Sequence, residues 1–417
     1  MVTVKAVIGK NFGDEGKGQT VDLLCRESRG RNVLVLRHNG GAQAGHTVED
    51  GAFRFVFHQL GSGSHQGCPT YWCRTFLPDL FKLGEEMSGM KHAGMNIRTV
   101  YAHPSCACVT VYDVLLNSLT EQLRGRDKHG SCGMGIFETV LRTGQTPYAL
   151  YLRDFEHTKG KSAAAGIAER LSDIRNHYTI PRLRELEHKF PEPFRNPDIR
   201  RWADLITDDN VLYNASAIMC ENYGKYVTLA DWPYMAGQYD TLIFEGGQGL
   251  MLDWDNEAYA PHLTASHTGL KNVAELLAEL ESSGSLRQSG IPFEVVYVTR
   301  TYVTRHGAGR LDHECPKEAV CPGMTDRTNL FNPWQEHLRY GKHPTGEAFF
   351  RYIRKDMEQF RQILPHQPLS AALYLTHLDE TQGKVLFSDR DRNFEEFCRY
   401  CRDEAPKCIQ GIFLRGL

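Results

Sequence analysis

Short apolar runs recur along this chain, each followed by a polar, glycine-bearing turn and then by a longer stretch of helical spacing. Val4 to Ile8 is the first such run, and Val33 to Leu36, Thr241 to Phe244 and Leu373 to Thr376 repeat the pattern. Continuous apolar runs predict strands covered on both faces. Alternated with helical stretches, they predict an α/β fold with a large, mostly parallel central sheet, glycine-rich phosphate-binding loops at strand ends and helical insertions. Strand pieces are also expected in FRFVFHQLGSGS, in RTFLPDLFKLGEEM ahead of a helix, in TVYAHPSCACVTVYDVLLNSLTEQLRG ahead of a long helix from about Val111, and in FEVVYVTRTYVTRHGAGR. A later helix is expected to begin near Thr345. Residues 160–225 turn helical and charged, with breakers at Pro181, Pro191, Pro193 and Pro197, and read as an inserted helical subdomain.

The first run opens into a loop holding Gly9, Gly13, Gly16 and Gly18 before an amphipathic segment. Strand, glycine loop and helix N-terminus together bind phosphate, because the backbone can turn sharply and present unpaired N–H groups to an anion. Lys17 supplies a point charge. The loop departs from GxxxxGK[ST]: Asn11 stands at the first glycine and Gly18 at the hydroxyl position. Asp14 and Glu15 inside the cradle would repel a phosphate unless a metal or a proton transfer occupies them. Glycine turns recur at Gly40–Thr47, at Gly130–Ile136, at the Gly-Gly-Gln-Gly after Glu245 and after Arg305. A ligand is expected between such loops at the carboxyl edge of one sheet.

Composition narrows the class. With 417 residues, 41% hydrophobic and 24% charged, the chain can bury a sizeable core, as one large domain with insertions or as two domains. The net charge of −3, without long basic runs, argues against nucleic-acid and membrane-surface partners. The first strand follows the N-terminus at once and no apolar run is long enough for a bilayer, so a cytoplasmic location is expected. Twelve scattered cysteines fit reduced thiols. Cys398 with Cys401, and His313 with Cys315 and Cys321, lack a second pair of ligands at zinc spacing.

The glycine-lined strand ends carry Asp14 with Lys17, Gln43 with His46, Ser131, Gln248, Arg305 and Arg339. Phosphate binders, a magnesium-type carboxylate, an acid or base and amide readers of a polar ring suggest phosphoryl transfer onto a nucleotide-like substrate. At these residues the chain resembles the adenylosuccinate synthetases. GDEGKG at 13–18, GGAQAGHT at 40–47, FEGGQG at 244–249 and TRHGAG at 304–309 fall in that family's order. The resemblance implies a single α/β domain over residues 1–417. It implies an enzyme that joins L-aspartate to the 6-position of IMP at the expense of GTP, with Mg2+, as a homodimer.

The resemblance also implies roles. Asp14 takes the N1 proton, His46 donates to O6 and to phosphoryl oxygens, and Gln248 and Gln43 orient the base. Magnesium bridges Asp14, the Gly45 carbonyl and the phosphates, with Gly13, Glu15, Gly16, Lys17, Gly18 and Thr47 around the triphosphate. Ser131, Cys132 and Thr264 match positions near the substrate 5′-phosphate, Arg142 matches an arginine donated across the dimer, and Arg305 belongs to the substrate side. Thr325, Arg327 and Arg339 are the aspartate-recognising set, and Asp379 in THLD reads guanine. The segment TDRTNLFNPWQEHLRYG replaces the family's arginine-rich aspartate loop and resembles short phage relatives that act on dGMP. The same ligation on dGMP or GMP, with ATP as a possible donor, therefore stands as an alternative, and a non-catalytic nucleotide-binding regulator as a second.

Overall fold

The computed structural model describes residues 2–96, 99–125, 128, 130–156, 163–284, 291–323, 337–407 and 409–414. Strands are numbered in chain order. β1 (Thr3–Gly9), β2 (Val33–Arg37), β5 (Thr70–Trp72), β6 (Val100–Ala102), β7 (Val227–Leu229), β8 (Thr241–Gly249), β9 (Phe293–Arg300), β13 (Leu369–Thr376) and β16 (Ile409–Leu414) form one sheet. Its order is β16-β13-β9-β1-β8-β2-β5-β6-β7, and every pairing is parallel. Smaller pieces flank it. These are a hairpin of β3 (His46–Asp50) and β4 (Phe53–Phe57), a sheet of β10 (Val303–Arg305), β11 (Glu314–Cys315) and β12 (Arg339–Gly341), and a ladder of β14 (Lys384–Val385) and β15 (Arg392–Asn393).

The apolar runs are continuous because both faces of the sheet are covered. Val4, Ala6 and Ile8 of β1, Leu34 and Leu36 of β2, and Leu242 and Phe244 of β8 point to one side, against the helices Lys271–Ser283 and Glu347–Ile363. Val7, Val33, Val35 and Ile243 alternate to the other side, where Val21, Leu24 and Cys25 of the helix Lys17–Glu27 meet them. Side chains at the carboxyl ends of β1, β8, β2, β9 and β13 therefore emerge along one edge.

Two expectations change in detail. The run FEVVYVTRTYVTR is not one strand but β9 and β10, which belong to different sheets. Between them Thr301 N–H bonds to Thr376 and the fully buried Tyr302 packs in a separate small core, so the chain bends out of the main sheet. Pro181 does not break its helix. The turn Arg175–Thr179 is a π-helix, and that widened turn joins Ala163–Ile174 to Ile180–Lys189, with Pro181 in the first turn of the latter. A proline ring and its missing N–H are tolerated where the hydrogen-bond ladder is already displaced.

Gly249, at the end of β8, approaches the chain after β1 closely. A Cβ placed there would lie 2.2 Å from the Asn11 carbonyl oxygen and 2.8 Å from a Glu15 oxygen. Gly249→Ala should therefore cost about 1–3 kcal/mol through overpacking against backbone, read as a lowered urea midpoint.

Candidate active site

The loop after β1 is built around Glu15. Its carboxylate accepts the N–H groups of Asn11 and Gly13, each at 2.9 Å, and the Lys17 ammonium at 2.9 Å, all buried. The acid suspected of repelling a phosphate thus spends its charge on the loop itself and on holding Lys17. Gly16, at φ 86, lets the chain turn into the helix Lys17–Glu27, whose N-terminus has no side-chain cap. Its first N–H groups stay available to an anion.

Asp14 is the loop's second acid and it faces differently. Its backbone is left-handed at φ 59, a conformation costing about 1–2 kcal/mol without a special partner. Arg300, at the end of β9, supplies one by donating Nε to the Asp14 carbonyl at 2.5 Å. The carboxylate meets His306 Nε2 at 3.1 Å. Burial would raise the Asp14 pKa, but His306, Arg300 and Lys17 together hold it well below the usual carboxylate range.

A second group joins β2, β8 and β3. Arg37 and Glu245 are register partners in the sheet, and the Glu245 carboxylate lies 2.5 Å from His46 Nδ1 and 3.7 Å from Arg37 Nη1. Ser62 adds its N–H and its hydroxyl to the same carboxylate. Arg37 Nη1 is also 3.1 Å from His46 Nδ1, and a single ring nitrogen cannot both donate to Glu245 and accept from Arg37. The shorter contact to a carboxylate decides that Nδ1 carries the proton. Burial alone would raise Glu245, yet His46, Arg37 and Ser62 hold it down to about 2. Burial, then Arg37, lowers the His46 pKa despite Glu245, and the ring's Nε2 lies 3.3 Å from the Gly247 carbonyl oxygen.

Gln43 and Gln248 converge above Gly40, where an added Cβ would lie 2.9 Å from Gln43 Nε2 and 3.1 Å from Gln248 Oε1. Both polar atoms of the Gln43 amide and Oε1 of Gln248 are buried without a hydrogen-bond partner among the described residues. Buried orphan amides of this kind await a polar ligand. Arg305 is nearly inaccessible, donates to the carbonyls of Arg310 and His262, and stacks its guanidinium over Phe12 at 4.4 Å.

Gly13, Asp14, Glu15, Gly16, Lys17, Gly18, Gln43, Gly45, His46, Thr47, Ser131, Cys132, Gln248, Thr264 and Arg305 all line one cavity of about 1450 Å³. Three anticipated residues do not. Arg142 is fully buried and gives Nε and Nη2 to Asp113, with further bonds to the carbonyls of Cys108 and Tyr148, so its guanidinium is engaged within this chain. Arg339 forks a carboxylate, but that of Glu314, and donates to the carbonyls of Gly307 and Gly309. Asp379 is exposed and lies outside the cavity lining, because the chain turns at His377, φ 59, into the 3-10 helix Asp379–Thr381. Thr325 and Arg327 lie outside the described residues.

Sequence reasoning passed over Arg37, Glu245, Arg300 and His306. The signal for the first three was a charged residue closing an apolar run, and for His306 its place in a glycine turn. Among the described residues the metal-type side chains that gather elsewhere are Asp253, Asp255 and His267, and Lys271 contacts both Asp255 and His267.

Residues 6–190 match the family model described as adenylosuccinate synthetase. Among curated relatives, the adenylosuccinate synthetase of Chromohalobacter salexigens is 27% identical over 98% of this chain and 85% of its own length. That of Streptomyces griseus is 28% identical over 75% of this chain, and that of Dichelobacter nodosus 30% over 74%. The chain spans just under two thirds of these last two relatives, 65% and 64%. Among solved structures, fully ligated adenylosuccinate synthetase from Plasmodium falciparum superposes with a TM-score of 0.61 at 19% identity, over 92% of this chain and 80% of that one. A cyanophage S-2L succinoaminodeoxyadenylate synthetase bound to dGMP and dATP gives 0.53 at 16% identity, over 96% and 99%. At these identities the superpositions speak for the fold. With its motifs in the adenylosuccinate synthetases' order and a similar fold around them, the chain is similar to that family over nearly its whole length.

Proposed function

We propose that this protein is a ligase that joins L-aspartate to the 6-position of a 6-oxopurine nucleotide, with IMP as acceptor and GTP as phosphoryl donor. The observation that carries the proposal is the meeting of Asp14, His46 and Gln248 beside an uncapped helix N-terminus in one cavity. Asp14, ionised at rest, takes the N1 proton as the purine O6 attacks the γ-phosphorus, and the nucleoside diphosphate leaves. The aspartate amine then adds at C6, loses a proton and displaces phosphate, giving adenylosuccinate.

His46 keeps its Nδ1 proton on Glu245, and in its charged form it also donates from Nε2, which lies 3.3 Å from the Gly247 carbonyl oxygen. Phosphate oxygens and the developing charge on O6 favour that form, which Glu245 then stabilises. Such an interaction grows toward the transition state instead of holding the ground state. The orphan amides of Gln43 and Gln248 hold the base. Asp14 and the Gly45 carbonyl are hard oxygen donors on the cavity wall, a set that suits Mg2+. When bound, the ion supplies charge neutralisation between the phosphates.

Incubation with IMP, aspartate, GTP and Mg2+, followed by chromatography, should yield adenylosuccinate, GDP and phosphate. No product with IMP, but product with dGMP or GMP, would move the acceptor assignment to the guanine series. The position of Asp379 favours a donor site that does not read guanine through that residue. Asp379→Asn is accordingly expected to leave the GTP-to-ATP ratio of kcat/KM within about twofold, since an exposed carboxylate outside the cavity leaves no buried group unpaired. A tenfold change would restore it to the base pocket.

A further inference from the structure

We propose that His306 is a positioning residue that holds the Asp14 carboxylate in its reactive orientation, an inference that rests on the reading above. His306 Nε2 lies 3.1 Å from Asp14 Oδ2, and both side chains line the cavity. Among the described residues His306 is the side chain that meets that carboxylate on the cavity wall, while Arg300 takes the main-chain carbonyl of the same residue. Asp14 is thus clamped at two points, backbone and carboxylate, by two different elements.

The turn that carries His306 is itself fixed. Gly307 and Gly309, at φ 68 and φ 103, give it a shape other residues resist. Arg339 donates to both of their carbonyls, at 3.0 and 2.7 Å, while its far side is bound bidentately to Glu314. On the other side Gly307 abuts Gly130, where an added Cβ would sit 3.0 Å from the Gly130 carbonyl oxygen. The arginine anticipated to fork the aspartate substrate therefore secures the loop that aims His306. A carboxylate on a left-handed residue in a glycine loop has few restraints of its own, and a misplacement of about 1 Å can cost about 10²-fold in rate.

Four arms test the assignment. His306→Ala should lower kcat about 10- to 100-fold with nucleotide KM within about threefold, and His306→Gln, which keeps a donor, should return to within about threefold of the parent. In an Asp14→Asn background, His306→Ala should add less than about threefold, because the group it positions is gone. In substrate-free protein labelled with 15N-histidine, the His306 Nε2 resonance should shift on Asp14→Asn. Independent losses in the double variant, no rescue by glutamine, or an unmoved resonance would each overturn the proposal. The spectroscopic arm needs no turnover, so it decides the pairing even if the parent protein proves inactive as a ligase.

Discussion

Asp14→Asn is expected to lower turnover by on the order of 10² to 10⁴ while nucleotide binding survives. The amide keeps the shape of the side chain and can still accept from His306, so the loop should hold its form. It cannot take the N1 proton, and it is a weaker donor to a divalent ion than a carboxylate. Binding rests on other groups: Lys17, the open helix N-terminus and the Glu15-braced loop are untouched. Single-turnover rates and nucleotide affinity by calorimetry measure the two halves separately. A variant within about tenfold of the parent would remove Asp14 from the chemistry.

Glu245→Gln should be strongly destabilising. Arg37 is completely buried, its Nε and Nη2 have no hydrogen-bond partner among the described residues, and Glu245 is its first countercharge, with Glu86 contributing less. Removing one partner of a buried ion pair costs about 3–5 kcal/mol, because the other charge stays buried. The pH dependence follows from the direction of the shift. Glu245 is held at about 2 against an ordinary value of 4.5. A depressed carboxylate contributes stability that is complete above its ordinary pKa and is lost as pH falls through the folded value. The gap between parent and variant should thus be full at pH 7, shrink between about pH 4.5 and 2, and nearly vanish below. Urea titrations across that range measure it, and a pH-independent gap would mean that packing, not charge, holds the site. Activity should fall as well, since His46 loses the group that stabilises its charged form.

How much of this was legible beforehand differs by element. Val4–Ile8, Val33–Leu36 and Thr241–Phe244 could be read as strands because burial on both faces leaves an unbroken apolar record. The loops at their ends could be read as phosphate sites because glycine positions follow from backbone geometry. Roles resting on a charged residue alone were less legible. Arg142 and Arg339 have the right chemistry for substrate carboxylates and phosphates, yet Asp113 and Glu314 satisfy that same chemistry internally. An arginine's partner is set by what lies across a gap of a few ångströms, and that neighbour is 29 residues away in one case and 25 in the other.

The sequence by itself determined the family resemblance, the parallel α/β sheet and the set of loops that meet at its carboxyl edge, because those depend on short-range periodicity and on residues within one turn of each other. Only the tertiary structure decided which of two adjacent acids spends its carboxylate on the loop itself. Glu15 is consumed by Asn11, Gly13 and Lys17, while Asp14 turns toward His306. It also decided that His46 sits on Glu245, that Arg37 lies buried beside them, and that Asp379 stands outside the cavity. Each of these is a question of orientation and of long-range pairing: His46 and Glu245 are 199 residues apart, and 286 separate Asp14 from Arg300. Local propensity places a side chain on a strand end or in a turn; the packing of distant segments determines what that side chain meets there.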